Sequence, residues 1–141
     1  MKLALLLLFA FGCGGAAMHT VSLTNSTERT IKELYVYPAG AKDKGASRGS
    51  LAPSAGTSVQ MKAGAIEVYA VSETMKIDER TRDTPTASQG LELTSDLKVI
   101  FYDGDQPKPA AVDRPGVIGV SFIVAPKKQP DAPPSDPAPS P

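Results

Sequence analysis

Few residues in this chain are of a type and spacing that do chemistry. Asp103 and Asp105 flank Gly104 in "YDGDQP". A D-x-D spacing can open a calcium loop, but such a loop goes on to supply further oxygen ligands and a distal glutamate. Gln106, Pro107, Lys108 and Pro109 follow instead, so an Asp-Gly turn closing a strand is the expectation. In "IDERTRD" (77–83), strand periodicity sends the adjacent Asp78 and Glu79 to opposite faces, which separates them rather than forming an acid/base pair. That segment reads as a solvated edge strand whose charges oppose edge-to-edge pairing. His19 is the sole histidine, and it would need a nucleophile and an orienting carboxylate held around it to work as a base. A zinc site needs three or four ligands and would have to be built mainly from carboxylates. The expectation is a non-enzymatic chain with no metal, no cofactor and no catalytic residue; a hydrolase using Asp103 or Asp105 is the catalytic alternative.

The single cysteine, Cys13, stands in "FGCGG", directly after an apolar run. Lys2, the apolar residues 3–11 and the small residues that follow have the three-part layout of an export signal. The run is nine residues long, whereas crossing a bilayer takes ~20. Ala10-Phe11-Gly12-Cys13 resembles the lipobox of bacterial lipoproteins. The resemblance implies cleavage between Gly12 and Cys13, acylation of Cys13 (palmitate) and attachment to a membrane through an N-terminal lipid. A second processing route is open: Gly15-Ala16-Ala17 supplies small residues for an ordinary secretory cut after Ala17, which would discard Cys13. Under either route the exported domain carries no free thiol, hence neither a disulfide framework nor a cysteine nucleophile.

Charge excludes another class. Lys+Arg and Asp+Glu number 15 each, and a nucleic-acid binder needs a basic stripe to displace counterions from phosphate. Aromatics are scarce, which disfavours a large ligand cleft lined with rings. From residue 125 the chain reads "APKKQPDAPPSDPAPSP", with no large apolar side chain to offset chain entropy. A disordered, proline-rich tail is expected there, as a spacer or as a ligand for a proline-binding groove or cell-wall polymer, with Lys127 and Lys128 as contacts.

Between signal and tail, short β-type runs recur at ~8–12-residue intervals. They are "HTVSLTN" (19–25), "ELYVYP" (33–38), "TSVQM" (57–61), "AIEVYAVS" (65–72), "MKIDER" (75–80), "LELT" (91–94), "LKVIFYD" (97–103) and "GVIGVSFIV" (116–124). "AIEVYAVS" and "MKIDER" are spaced for a hairpin around Glu73-Thr74, and a Ser95-Asp96 turn separates the next two runs. "GVIGVSFIV", the most apolar run, is expected to be a central, buried strand. "NSTERTIKELY" allows one short helical turn or a strand with a bulge. With no long amphipathic helix, helix bundles and parallel βαβ folds are disfavoured. The expected fold is all-β: a single small antiparallel β-sandwich of about 7–8 strands, immunoglobulin- or transthyretin-like. The expected organisation is a signal peptide over 1–12, a lipidated tether over 13–18, the β-sandwich over 19–124 and the tail over 125–141.

"VSLTNSTERTIKELYVYPAG", "LAPSAGTSV" and "GAIEVYAVS" together resemble a loose class of small bacterial exported β-sandwich domains. The matching positions are Asn25, Thr30, Ile31, Leu34 to Val36, Pro38, Leu51, Pro53, Gly56, Gly64, Val68, Ala70 and Val71. They are turn and core residues, so the resemblance implies a fold and transfers no catalytic motif. The function expected is an envelope-anchored lipoprotein with a non-catalytic structural or binding module. It would be an outer-membrane lipoprotein facing the periplasm or cell surface, or a soluble exported protein if cut after Ala17. Its expected partners are the membrane, another envelope protein or cell-wall polymer, and no nucleic acid. A subunit of an envelope-spanning assembly such as a secretion system is the alternative. The glycine- and lysine-bearing loop "AGAKDKGASRGS" (39–50), which lacks P-loop spacing, is the expected recognition surface. Asn25-Ser26-Thr27 matches a glycosylation sequon, read as incidental in a bacterial protein.

Overall fold

The computed structural model describes residues 15–126. Gly12, Cys13, the expected signal segment over 1–12 and residues 127–141 of the expected tail lie outside the described residues. Nine strands run in order: β1 (Met18–Asn25), β2 (Ile31–Pro38), β3 (Gly56–Lys62), β4 (Gly64–Ser72), β5 (Met75–Lys76), β6 (Arg82–Asp83), β7 (Thr86–Leu93), β8 (Leu97–Asp103) and β9 (Val117–Phe122). One 3-10 turn, Ala110–Asp113, precedes β9. No helix among the described residues is long and apolar enough to cross a membrane. The chain is all-β, with a four-stranded sheet β3-β1-β8-β9, a three-stranded sheet β2-β4-β7 and a small β5-β6 ribbon.

Period-two patterning explains how the sheets meet. In β1, Val21 and Leu23 are buried between the polar Thr20, Ser22 and Thr24; in β4, Ile66, Val68 and Ala70 alternate with Glu67, Tyr69 and Val71. The inward residues of both sheets form one core, with Leu23, Phe101 and Phe122 from one side and Leu34, Val68 and Leu93 from the other. Phe101 and Phe122 pack as a tilted pair with ring centroids 5.9 Å apart.

Pairing departs from the sequence expectation at three places. The larger sheet is mixed rather than antiparallel, because β8 runs parallel to both β1 and β9. Parallel neighbours need a crossover of a dozen or more residues, and residues 104–116 supply it without a long helix. The crossover covers the outer side of the sheet: a Cβ on Gly119 would lie 2.8 Å from a Val112 methyl and 2.9 Å from the Tyr102 ring. Ile100 is accordingly buried although its neighbours Val99 and Phe101 belong to the main core. Second, "GVIGVSFIV" is the outermost strand of its sheet, and Ile123 is exposed. Its apolar content serves two coverings, Val120 and Phe122 meeting the core inside while the crossover closes over Gly119 outside.

Third, "MKIDER" does not fold back on β4, whose two edges are already taken by β2 and β7. It forms the β5-β6 ribbon instead, and Asp78 caps the tip by accepting the N–H groups of Arg80 (2.8 Å) and Thr81 (2.7 Å). Only Arg82 and Asp83 of "IDERTRD" lie in a strand.

The sheet edges are managed by backbone bonds. Ile123 N–H donates to the Thr86 carbonyl (3.0 Å), stitching the end of β9 to the start of β7 across the two sheets. β2 is a strand with a bulge between Ile31 and Glu33. Its free edge is followed by the returning loop, with Arg48 N–H bonded to the Leu34 carbonyl (2.6 Å) and Leu51 exchanging bonds with Ile31.

Candidate functional site

Two regions gather polar side chains, and their chemistry differs. The first lies at the end where β1, β4, β8 and β9 finish. Asn25, at the close of β1, is fully buried. Its amide nitrogen donates to the carbonyls of Arg29 (2.7 Å) and Leu51 (3.0 Å), and its side-chain oxygen accepts from the Thr27 N–H (3.0 Å) and hydroxyl (2.8 Å). That saturation folds residues 25–29 into a tight turn. It also leaves the sequon nitrogen bonded inside the protein, so Asn25 is no glycan acceptor in the folded domain.

The turn aims Arg29 inward. Its Nη1 and Nη2 donate to the two oxygens of Asp103 at 2.8 and 2.6 Å, and its Nε donates to the Ser72 hydroxyl at 2.9 Å. The guanidinium also lies 5.9 Å from the Phe122 ring centroid. Both ionised side chains are about one-seventh exposed, at 15% and 14%. A cleft of about 530 Å³ opens beside the pair, lined by Ser26, Glu28, Met75, Tyr102 and Asp105 among others.

The residues picked from the sequence for their chemistry do not converge. Asp103, one half of the D-x-D, spends both oxygens on Arg29, while Asp105 is exposed in the turn. Asp78 and Glu79 are at the tip of the β5-β6 ribbon; backbone N–H groups of Arg80 and Thr81, with the Thr81 hydroxyl, hold the Asp78 carboxyl below its ordinary value. His19 lies in β1 with Nδ1 3.8 Å from Asp96, whose carboxylate accepts the Thr20 N–H at 2.8 Å. Among the described residues, no three His, Cys, Asp or Glu side chains gather to hold a metal ion.

The second region is the outer face of β2-β4-β7. Antiparallel register sets Tyr35 opposite Tyr69 and Tyr37 opposite Glu67. Glu33 shares the face, and three of the four tyrosines of the chain are thereby collected on one surface. Tyr35 and Tyr69 rings lie 6.1 Å apart, and the Tyr35 hydroxyl donates to Glu33 at 2.7 Å. That hydrogen bond, with desolvation and the nearby negative charge adding to it, raises the Tyr35 hydroxyl above the ordinary 10.0. Tyr37 is raised as well, by the neighbouring Glu67 carboxylate first and by desolvation after it.

The loop 39–50 comes over this face from one side. Asp43 accepts the Gly45 N–H at 2.9 Å, and Gly45 takes φ +70°, a left-handed turn that suits glycine. The turn carries Lys44 to 4.6 Å from the Tyr69 ring centroid. A shallow hollow of about 600 Å³ lies between the loop and the rings. It adjoins a second, of about 430 Å³, over Gly90, where no side chain fills the space above the strand.

The sequence reading singled out the loop but not the tyrosines beneath it. Glu33-x-Tyr35-x-Tyr37 and Glu67-x-Tyr69 are period-two patterns that place acid and ring on one strand face, and they were the available signal. Comparison of the chain with protein-family models, with curated proteins and with solved structures finds no match.

Proposed function

We propose that the chain is a lipoprotein of the cell envelope, cleaved before Cys13 and held by acyl chains on that cysteine. It carries a non-catalytic β-sandwich of the immunoglobulin or transthyretin kind that serves as a binding module. The observation that carries the binding role is the tyrosine and glutamate face of β2-β4-β7, with Lys44 folded over it. A ring-bearing, partly exposed sheet face is suited to recognition, whereas the polar cluster at the opposite end consumes its own charges internally.

The ends of the domain fit the tether. Cys13 precedes Met18 by five residues, which span at most about 18 Å when fully extended. The start of β1 would then rest beside the bilayer. Met18 is 53% exposed there, at a mostly apolar hollow of about 320 Å³ that also takes in Met61, Ala65 and Ile66. β8 runs parallel to β1 and β9, so the Arg29 and Asp103 end and the last described residue, Pro126, lie away from that surface.

One acyl chain binds a membrane only marginally, so stable anchoring takes two or more. Intact mass of the mature protein tests the reading, giving the cut site and the number of chains together. Fatty-acid label is expected on the natural chain and absent from Cys13→Ser, with the variant leaving the membrane fraction. Equal membrane retention of two unlabelled forms would sink the lipid anchor. Pull-down from envelope extracts separates the binding module from the assembly subunit, since a stable stoichiometric complex marks the latter.

A further inference from the structure

We propose that the outer face of the three-stranded sheet recognises a lysine side chain of a partner protein, held over Tyr35 and Tyr69 between Glu33 and Glu67, and that Lys44 occupies this site in the free protein. The proposal rests on the binding-module reading but is independent of the lipid on Cys13.

Three observations converge on a cation. Ring faces carry the negative end of the aromatic quadrupole and attract ammonium groups within about 6 Å of the centroid. Tyr35 and Tyr69 stand side by side by register, and one such ammonium, that of Lys44, is already seated 4.6 Å from Tyr69. Glu33 and Glu67 flank the rings on the same face, so a desolvating cation has carboxylates within reach while the Tyr35 hydroxyl remains bonded to Glu33.

The occupant is read from the resident. Lys44 is a lysine side chain delivered by a loop, and its ammonium makes neither a salt bridge nor a hydrogen bond to any described residue. Its loop is pinned on the far side, where Ser47 Oγ accepts the Leu34 N–H at 3.3 Å and Arg48 bonds the β2 backbone, whereas the 42–45 turn carries only its own Asp43 to Gly45 bond. Displacing Lys44 therefore costs one ring contact and no backbone pairing. The open shelf over Gly90 leaves room for the incoming chain to approach from the β7 side.

The test uses the full chain carrying Cys13→Ser, so that anchoring plays no part. The probe is the peptide Ac-Gly-Lys-Gly-amide, compared with its Nε-acetylated, neutral form, and ring proton shifts are followed by NMR. Saturable shifts of the Tyr35 and Tyr69 signals are expected with the first peptide alone. Tyr102, on β8 in the other sheet, is the internal control. Lys44→Ala is expected to tighten binding roughly two- to fivefold, the value of one exposed cation–ring contact, and Glu67→Gln to weaken it. Equal shifts from the acetylated peptide, unchanged or weaker binding by Lys44→Ala, or tighter binding of choline than of the lysine peptide would each overturn the proposal. A chain that binds the peptide yet is never acylated keeps this site and loses the anchor, so the two readings fail separately.

Discussion

Arg29 lies 5.9 Å from the Phe122 ring centroid and Lys44 lies 4.6 Å from that of Tyr69, so each places a cation against an aromatic face. Their surroundings differ in every other respect. Arg29 bonds Asp103 through two nitrogens and Ser72 through the third, and it ties the β1-β2 turn to β4 and β8. Lys44 has the ring and solvent. A guanidinium presents a rigid fork that matches a carboxylate, which suits a fixed joint; an ammonium on a flexible stem is a point charge that exchanges readily. The comparison separates a cation that holds the fold from one that guards a surface. It also shows why ring proximity alone is no guide to function, since the closer of the two contacts is the weaker joint.

The largest effect expected from breaking this contrast is at Arg29. Arg29→Ala leaves the Asp103 carboxylate mostly buried without its partner, a situation that costs about 3 kcal/mol at the lower end of the range for buried pairs, because each side chain retains some solvent contact. Urea unfolding is the measurement: the midpoint should fall with an unchanged slope. An Arg29→Ala, Asp103→Ala double-mutant cycle should show strong coupling between the two sites. Additive single losses would show that the pair is an incidental surface contact.

Lys44→Ala should change unfolding stability by at most about 1 kcal/mol, the usual scale for an exposed side chain with one ring contact. The same substitution is the one expected to improve binding of a lysine peptide. A loss of stability comparable to that of Arg29→Ala would erase the distinction and make the loop a structural strap.

The sequence is informative about these two regions to different depths. Alternation in "HTVSLTN" and "AIEVYAVS" locates β1 and β4 and their inward residues, because a half-buried strand writes its period directly into residue types. Pairing is not written there. β9 lies parallel to β8 because the crossover 104–116 returns the chain to the end where β8 began, passing Val112 over Gly119, and β8 lies parallel to β1 only after the chain has crossed the other sheet. "GVIGVSFIV" looks central because apolar content reports burial on both faces, whatever covers them, and here a loop covers one. Arg29 meets a carboxylate 74 positions away, a contact that no local pattern encodes. The tyrosine face is intermediate: Glu33, Tyr35 and Tyr37 share a strand face by spacing, but only the Tyr35 to Tyr69 register joins them to β4.

The smallest effect, and the sharpest probe of the outer face, concerns the Tyr35 proton. Its hydroxyl donates to Glu33, and that bond, then desolvation and charge, raise it above 10.0. Phenolate absorbance should therefore show Tyr35 titrating late, and Glu33→Gln should bring it back toward 10.0 by removing the carboxylate charge that favours the protonated phenol. The linkage has a definite sign. A raised folded-state value means the native protein keeps a proton that the unfolded chain has begun to lose, so the contribution is complete below about 10 and is lost as pH rises through the folded value. Alkaline unfolding of Glu33→Gln should consequently be less steep than that of the natural chain in this window. Tyr37, raised by Glu67 rather than Glu33, should keep its late titration in the same variant and act as the internal reference. An unmoved Tyr35 would mean that the hydroxyl does not engage Glu33 in solution, and the acidic wall proposed for an incoming ammonium would lose one of its two sides.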